Sequence, residues 1–218
     1  MIKIESVIFD FHSTLVDGGE TEAWIDAARQ RLGRPALPLP EREALSAYLD
    51  QLWQHAHTVD PRSERDLSPD RHRDVFARTM ALFPGIDEDL TGALYDTMTG
   101  QWRAFEDSRP VLRELKTRGV RIAVLSNIGL DIRDCLADNG LDRFVDQVVL
   151  SYEVGVVKPD PAIFALVLER LGATGEQTLM VGDGPRDDVG GAALGIRTLI
   201  LPRTRGPVHG LEAAVRLI

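Results

Sequence analysis

The chain has 218 residues, of which 44% are hydrophobic and 27% charged, a composition that fits one large domain or a core carrying an insertion. Its formal net charge of −9 disfavours binding to nucleic acid or to an anionic membrane, because phosphate repels most of such a surface. The single cysteine, Cys135, allows no internal disulfide, and no apolar run has the length of a membrane span, so we expect a cytoplasmic protein.

The first predicted element is an apolar run that ends on an aspartate. Residues 7–9 (Val-Ile-Phe) predict a buried β-strand, and Asp10 follows it directly. His12 comes two residues later, and a glycine pair at residues 18 and 19 ends this segment. An aspartate at the end of a strand is commonly a turn former, so Asp10 by itself does not define a function.

The next segment contains no strand-like run and predicts a block of helices. Its helical patterns are TEAWIDAARQRLG, EREALSAYLDQLWQHA, SPDRHRDVFARTMALF and DEDLTGALYDTMTGQWRAF. A helical insert directly after the first strand favours a lid, because it lies over the strand ends where ligands bind. A structural layer on one face of the sheet is the alternative. We predict a helical cap of residues 18–106 and a catalytic core of residues 1–17 and 107–218.

From residue 120 onward, short apolar runs alternate with helical patterns. The runs are VRIAVLSN (120–127), QVVLS (147–151), TLMVGD (178–183) and RTLIL (197–201). The stretches between them, DIRDCLADNG, PAIFALVLERLG and DDVGGAALG, have apolar residues three or four positions apart and a closing glycine. Nearly continuous apolar strands separated by helices predict an α/β fold with a parallel sheet covered on both faces.

Polar residues follow four of these strands, at the edge where open parallel sheets bind ligands. They are Asp10, His12 and Thr14 after the first strand, Ser126 and Asn127 after the second, Lys158 after the third, and Asp183, Asp187 and Asp188 after the fourth. Ser126 and Asn127 could equally cap the next helix. Lys158 is one of only three lysines in the chain, which favours a specific role over that of a solvated loop charge.

At FDFHSTLVD, VLSN, EVGVVKPDPAIF and VGDGPRDDVGGA the sequence resembles hydrolases of the haloacid dehalogenase superfamily. The resemblance covers essentially the whole chain and is closest to the branch with a helical cap after the first strand. It implies an α/β, Rossmann-like parallel sheet of strand order 5-4-1-2-3 with an inserted α-helical cap. It also implies a phosphatase-like activity on a small phosphorylated metabolite, with Mg²⁺ as the cofactor.

The resemblance gives a role to each motif residue. Asp10 is the nucleophile, and its aspartyl-phosphate divides a difficult hydrolysis into two displacements. Mg²⁺ is bound by Asp10, Asp183 and the main-chain oxygen of His12, since this ion prefers oxygen ligands and offsets the repulsion between two anions. The phosphoryl group is held by residues of the second and third motifs, which are Ser126, Asn127 and Lys158.

The last motif offers two neighbouring carboxylates for a further metal-binding position. The family accepts a carboxylate four or five residues after the first one, and the pattern D-x-x-x-x-D-V-x-G-A favours Asp188. Asp187 then stands where an asparagine is common. We predict that Asp188 binds the metal and keep Asp187 as the alternative.

The sequence departs from the family pattern at His12. In the phosphatases of the family this position holds a second aspartate, which protonates the leaving oxygen and later activates the hydrolytic water. An imidazole, with a reference pKa of about 6.5, can carry out both proton transfers near neutrality. We therefore predict His12 as the catalytic acid and base, with packing beneath the cap as the alternative.

This departure leaves two other functions open. A metal-independent 2-haloacid dehalogenase also lacks the aspartate, but dehalogenases of the family typically lack the metal-binding aspartate that Asp183 provides here. The second open function is that of a phosphate-binding protein with little turnover, which would not need a catalytic acid at position 12. The phosphonate-cleaving members use a cap lysine, and no lysine lies between Leu15 and Arg109, which excludes their reaction.

Overall fold

The computed structural model describes residues 3–204 and 206–218. The chain begins with β1 (Ser6–Phe9) and a short β2 (Val16–Asp17). Five helices follow, which are α1 (Thr21–Arg31), α2 (Leu39–Leu49), α3 (Leu52–Ala56), α4 (Pro69–Met80) and α5 (Glu88–Thr97). The remaining elements are β3 (Arg103–Ala104), α6 (Ser108–Thr117), β4 (Arg121–Ser126), α7 (Arg133–Asp138), β5 (Gln147–Leu150), α8 (Ser151–Val154), α9 (Pro161–Leu171), β6 (Thr178–Gly182), β7 (Arg197–Ile200) and α10 (Glu212–Val215).

Five parallel strands form the main sheet, in the order β5-β4-β1-β6-β7. β1 is the central strand, with Ile8 opposite Ala123 of β4 on one side and Met180 of β6 on the other. When these five strands are numbered along the chain, their order is 3-2-1-4-5, which is 5-4-1-2-3 read from the opposite edge. The predicted α/β fold and strand order are therefore confirmed.

Successive residues of β1 pack into hydrophobic clusters on opposite faces of the sheet. Val7 and Phe9 join a large cluster that continues into the helical insert as far as Phe76. Ile8 packs instead with Phe164 of α9 in a second cluster. Because both faces of the sheet are covered, Val7, Ile8 and Phe9 are all apolar instead of alternating with polar residues.

Helices α4 and α9 both begin after a residue whose side chain accepts a hydrogen bond from a free backbone N–H group. The Asp160 carboxylate accepts a hydrogen bond from the N–H of Ala162, and Pro161 is the first residue of α9. The Ser68 hydroxyl likewise accepts a hydrogen bond from the N–H of Arg71 at the start of α4. Caps of this type satisfy donors that have no partner within the helix.

The helical insert is joined to the core through a small antiparallel sheet of β2 and β3. Val16 pairs with Ala104, and Asp17 pairs with Arg103, so the entry and exit of the insert lie side by side. The last helix predicted in the insert therefore ends at Thr97. Residues 103 and 104, which the sequence pattern placed in that helix, form β3 and pair with β2 instead. The division into a cap of residues 18–106 and a core stays a prediction.

Two other predicted helices also differ in the structure. The pattern of residues 41–56 forms two helices, because Gln51 (φ −113°, ψ 15°) leaves the helical conformation between α2 and α3. The glycine-rich DDVGGAALG forms a 3₁₀ helix, Asp188–Leu194, in place of an α-helix. None of the helices within residues 3–204 and 206–218 is both long and apolar enough to cross a bilayer.

Candidate active site

Asp10 lies at the carboxyl end of the central strand. Its N–H donates a hydrogen bond to the carbonyl of Val181 at 2.9 Å, which extends the pairing with β6 by one residue. Its Oδ2 accepts a hydrogen bond from the Thr14 hydroxyl at 3.2 Å, and its Oδ1 accepts one from Lys158 Nζ at 2.7 Å. These contacts fix the orientation of a largely buried carboxylate.

Lys158 joins Asp10 to a second buried carboxylate. Its Nζ also donates to Asp188 Oδ1 at 2.6 Å, and only 3% of the lysine side chain is exposed. Burial by itself lowers the pKa of Lys158, but the two carboxylates outweigh burial and raise that pKa above its usual value. The ammonium group therefore stays charged at neutral pH.

Asn127 holds the backbone of Lys158 in place. Its Oδ1 accepts a hydrogen bond from the Lys158 N–H at 2.7 Å, and its Nδ2 donates to the Lys158 carbonyl at 2.8 Å. The predicted contact of Asn127 with phosphate stays a prediction, while these two bonds position the lysine. Ser126 is buried at the end of β4, and its hydroxyl has no hydrogen-bond partner in the described parts of the chain.

Asp183 follows β6, and its carboxylate forms an ion pair with Arg203 from the segment after β7. The Asp183 side chain is only 6% exposed, whereas the arginine side chain is 75% exposed. A surface arginine thus supplies the positive charge beside a buried carboxylate.

His12 occupies a tight turn just beyond Asp10. Ser13, the next residue, has a φ of 67°, in a region where residues other than glycine are uncommon. The imidazole makes an edge contact with the Trp102 ring, with centroids 4.9 Å apart, and its Nδ1 lies 3.2 Å from the Ser13 hydroxyl. Burial lowers the pKa of His12, although nearby Asp10 opposes this shift. The neutral imidazole is therefore favoured in this structure.

These side chains line one cavity of about 760 Å³ between the sheet edge and the helical insert. The core contributes Asp10, His12, Ser126, Asn127, Lys158, Asp183, Arg186, Asp187, Asp188 and Arg203. The insert contributes Trp53, Gln54, His57, Arg62, Arg65, Asp66 and His72. All the site residues predicted from the sequence therefore meet in a single cavity, with Thr14 behind Asp10.

The two aspartates of the last motif occupy different environments. Asp188 is 1% exposed, with Oδ1 bound by Lys158 and Oδ2 accepting the Gly184 N–H at 2.8 Å. Asp187 lines the cavity, and its side chain forms no ion pair with any residue that the structure describes. Of the two, Asp188 is the one that contacts the lysine.

The carboxylates at the strand ends fit a magnesium ion only in part. Within residues 3–204 and 206–218, no group of three His, Cys, Asp or Glu side chains is arranged to hold a metal ion. Asp10 and Asp183 nevertheless line the same cavity, and the His12 carbonyl accepts no hydrogen bond from a described residue. These three oxygen donors suit Mg²⁺. Asp188 has both oxygens engaged by protein donors, so its contact with the metal stays a prediction.

Arg203 and Asp66 also line the cavity, although no sequence pattern predicted them there. Arg203 lies in a segment without a recognisable motif. Asp66 lies within a run of charged residues that is typical of a solvated helix face, yet it is 9% exposed. His72, in the same run, is also buried and hydrogen-bonds the Tyr95 hydroxyl through Nδ1 at 2.9 Å, and burial lowers its pKa to about 4.

Comparison with known proteins places the chain among hydrolases. Residues 4–195 match the sequence profile of the haloacid dehalogenase-like hydrolases. The chain is 31% identical to a glyceraldehyde 3-phosphate phosphatase of Methanothermobacter thermautotrophicus over 197 residues, which cover 87% of this chain and 81% of that protein. It is 30% identical to a phosphoserine phosphatase of Thermus thermophilus, covering 85% and 76% of the two chains.

A solved structure supports the same fold. The L-2-haloacid dehalogenase from Xanthobacter autotrophicus superposes with a TM-score of 0.69 at 26% identity. The superposition covers 98% of this chain and 81% of that one. Phosphatases and a dehalogenase are thus both among the proteins that this chain resembles.

Proposed function

Because the chain belongs to the haloacid dehalogenase-like hydrolases, we propose that it hydrolyses a small phosphomonoester through an aspartyl-phosphate on Asp10, in a magnesium-dependent reaction. Its curated relatives include phosphatases at about 30% identity, which support phosphoester hydrolysis. The observation that carries the proposal is the Asp10 carboxylate at the sheet edge, 2.7 Å from the buried ammonium of Lys158.

In the first step, a carboxylate oxygen of Asp10 attacks the phosphorus of the ester. A P–O bond to Asp10 forms, and the P–O bond to the leaving alcohol breaks. Lys158 holds positive charge beside the nucleophile, where it attracts the phosphoryl oxygens. Asp188 supports this arrangement because it fixes the position of the ammonium group from the other side.

Asp10, Asp183 and the main-chain oxygen of His12 are the groups that would hold Mg²⁺. The ion supplies positive charge that offsets the repulsion between the Asp10 carboxylate and the anionic phosphate. Arg203 is the residue that has to give up its contact with Asp183, and its high exposure allows the side chain to turn into solvent or towards the substrate.

His12 is proposed as the acid and base of the two displacements. As imidazolium it would protonate the leaving oxygen, and as neutral imidazole it would remove a proton from the water that attacks the aspartyl-phosphate. The lowered pKa of His12 favours the second of these roles. The edge contact with Trp102 keeps the ring close to the cavity.

The helical insert is proposed to select the substrate and to limit access of water. Ser126, whose hydroxyl has no partner within the described residues, is available for a phosphoryl oxygen. The cap wall of the cavity carries Trp53, His57 and Arg62, which can contact the rest of a small anionic metabolite. A cavity of about 760 Å³ has the size of a typical small-molecule site.

The experiment that tests this function is a panel of phosphate esters and 2-haloacids, assayed with Mg²⁺ and with excess chelator. We expect hydrolysis of at least one phosphate ester that requires Mg²⁺. Chloride release from a haloacid in the presence of chelator would instead identify a dehalogenase. Saturable binding of inorganic phosphate without turnover of any ester would identify a phosphate-binding protein.

A further inference from the structure

The inserted segment places one carboxyl group, that of Asp66, against the core beside the site. Asp66 lies in a 3₁₀ turn, Glu64–Leu67, and its carbonyl accepts a hydrogen bond from the Ser151 hydroxyl at 2.5 Å. The same hydroxyl accepts the N–H of Ile128 at 2.9 Å, which links the turn to the end of β4. The turn also packs closely on Gly129, where an added Cβ would lie 2.3 Å from the Arg65 carbonyl oxygen. This part of the insert is therefore fixed relative to the sheet edge.

Asp66 lines the cavity, and its carboxyl group has few partners. Only 13% of the side chain is exposed, and no described residue donates a hydrogen bond to its oxygens. The nearest cation is Arg65, whose Nε lies 3.8 Å from Oδ1. That guanidinium group also contacts Asp60 at 3.2 Å and the Trp53 ring, with 5.1 Å to the centroid. Asp66 thus has one distant ion-pair partner and lines a cavity that a small ligand could fill, so its carboxyl group is available to contact a ligand.

The surroundings of Asp66 keep a proton on it near neutral pH. Its pKa is raised to about 7, chiefly by burial, with Asp60 and Asp187 also raising it and Arg65 and Lys158 lowering it. A protonated Asp66 is therefore accessible near neutral pH. Asp66 and Lys158 line the same cavity.

We propose that Asp66 is a second catalytic residue, the general acid that protonates the leaving oxygen, and this inference rests on the proposed phosphatase function. As the P–O bond to the leaving group breaks, its electron pair takes the proton of the Asp66 carboxyl, and the alcohol leaves neutral. The acid role assigned to His12 in the proposed function thereby passes to Asp66, and His12 keeps only the role of base. It removes a proton from the water whose oxygen bonds to phosphorus as the P–O bond to Asp10 breaks. The proton on His12 passes to solvent and Asp66 regains one, so the sum is ester plus water to alcohol plus phosphate.

A general acid leaves a specific kinetic signature, because it matters most for a poor leaving group. We therefore compare Asp66→Asn with the wild type on an alkyl phosphate and on p-nitrophenyl phosphate, using kcat/KM, which reports on the step that releases the alcohol. The variant is expected to lose about 10²- to 10⁴-fold on the alkyl phosphate and less than about tenfold on the aryl phosphate. Asp66→Glu is expected to restore part of the loss on the alkyl phosphate.

Asp60→Asn serves as the matched control for disturbance of the turn. Its carboxylate accepts the N–H groups of Glu64 and Arg65, so the change perturbs the same turn without removing the acid. Because the acid itself is kept, we expect the difference between the two substrates to be far smaller than in Asp66→Asn, even though the loss of the Asp60 charge lowers the pKa of Asp66. An equal loss on both substrates in Asp66→Asn, or no loss at all, overturns the inference while leaving the phosphatase function standing. A wild type that hydrolyses neither ester overturns both.

Discussion

Lys158 and Asp10 form a buried ion pair in which Nζ lies 2.7 Å from Oδ1. Asp188 contacts the same ammonium group from the other side, so two carboxylates share one positive charge. Breaking such a pair is costly, because a charge that is left without its partner cannot be hydrated inside the protein. The cluster therefore supports both the fold and the proposed nucleophile.

Lys158→Met is predicted to destabilise the protein, because it leaves Asp10 and Asp188 buried without a cation. The expected loss in the free energy of unfolding is about 3–5 kcal/mol, measured by urea denaturation without Mg²⁺. Lys116→Met is the matched control, since Lys116 binds Asp146 with both side chains about one third exposed. A loss of about 0–1 kcal/mol is expected there. Equal losses in the two variants would contradict the role given to the buried cluster.

His12→Ala is predicted to slow turnover by about two to four orders of magnitude, because the water that attacks the aspartyl-phosphate loses its base. His12→Asp is expected to keep substantial activity with a changed pH profile. The measurement is kcat across the pH range for both variants. Wild-type rates in His12→Ala at every pH would show that the histidine only packs, and a gain in His12→Asp over a nearly inactive wild type would favour the phosphate-binding alternative.

Gly19→Ala is predicted to lower the free energy of unfolding through a steric clash at the entry to the insert. Gly19 has a φ of 67°, and an added Cβ would lie 2.4 Å from the Gln101 carbonyl oxygen. Gly33→Ala isolates the backbone effect, because Gly33 has a φ of 65° with no atom within 4 Å of the added Cβ. We expect a loss of about 1–2 kcal/mol for Gly33→Ala, and a further loss of about 1–3 kcal/mol for Gly19→Ala. Similar values in the two variants would rule out the clash.

Asp66 is predicted to make stability fall as the pH rises from about 4 to about 7. Its pKa is raised from 3.8 to about 7, so the folded state holds a proton that the unfolded state has lost in this interval. The stabilising contribution is complete below the unfolded pKa and disappears as the pH passes the folded pKa. Asp66→Asn should remove this component from the pH dependence of Tm. An unchanged pH dependence would show that the carboxyl group is not buried as described.

Sequence patterns located the strand-end residues well, because a parallel sheet brings every carboxyl end to the same edge. Asp10, Lys158 and Asp188 could thus be expected to meet, although 178 positions separate the first from the last. The pairing of Lys158 with both carboxylates could not be predicted, because it depends on the turn that Asn127 holds.

Arg203 and Asp66 could not be found from the sequence for physical reasons. The contact of Arg203 with Asp183 depends on the path of the chain after β7, which no periodic pattern encodes. Asp66 is buried only because its turn packs on Gly129 and Ser151 of the core, a tertiary contact that a run of charged residues does not reveal.

The proposed reaction requires that Asp10 becomes covalently phosphorylated. The direct measurement is peptide mapping by mass spectrometry after rapid acid quenching of the enzyme during turnover of a phosphate ester with Mg²⁺. We predict a phosphoryl group on the peptide that contains Asp10, and neither label nor turnover in an Asp10→Asn variant whose helical content by circular dichroism is unchanged. Continued ester hydrolysis with Asp10 unmodified, or near-normal turnover in Asp10→Asn, would rule out Asp10 as the nucleophile.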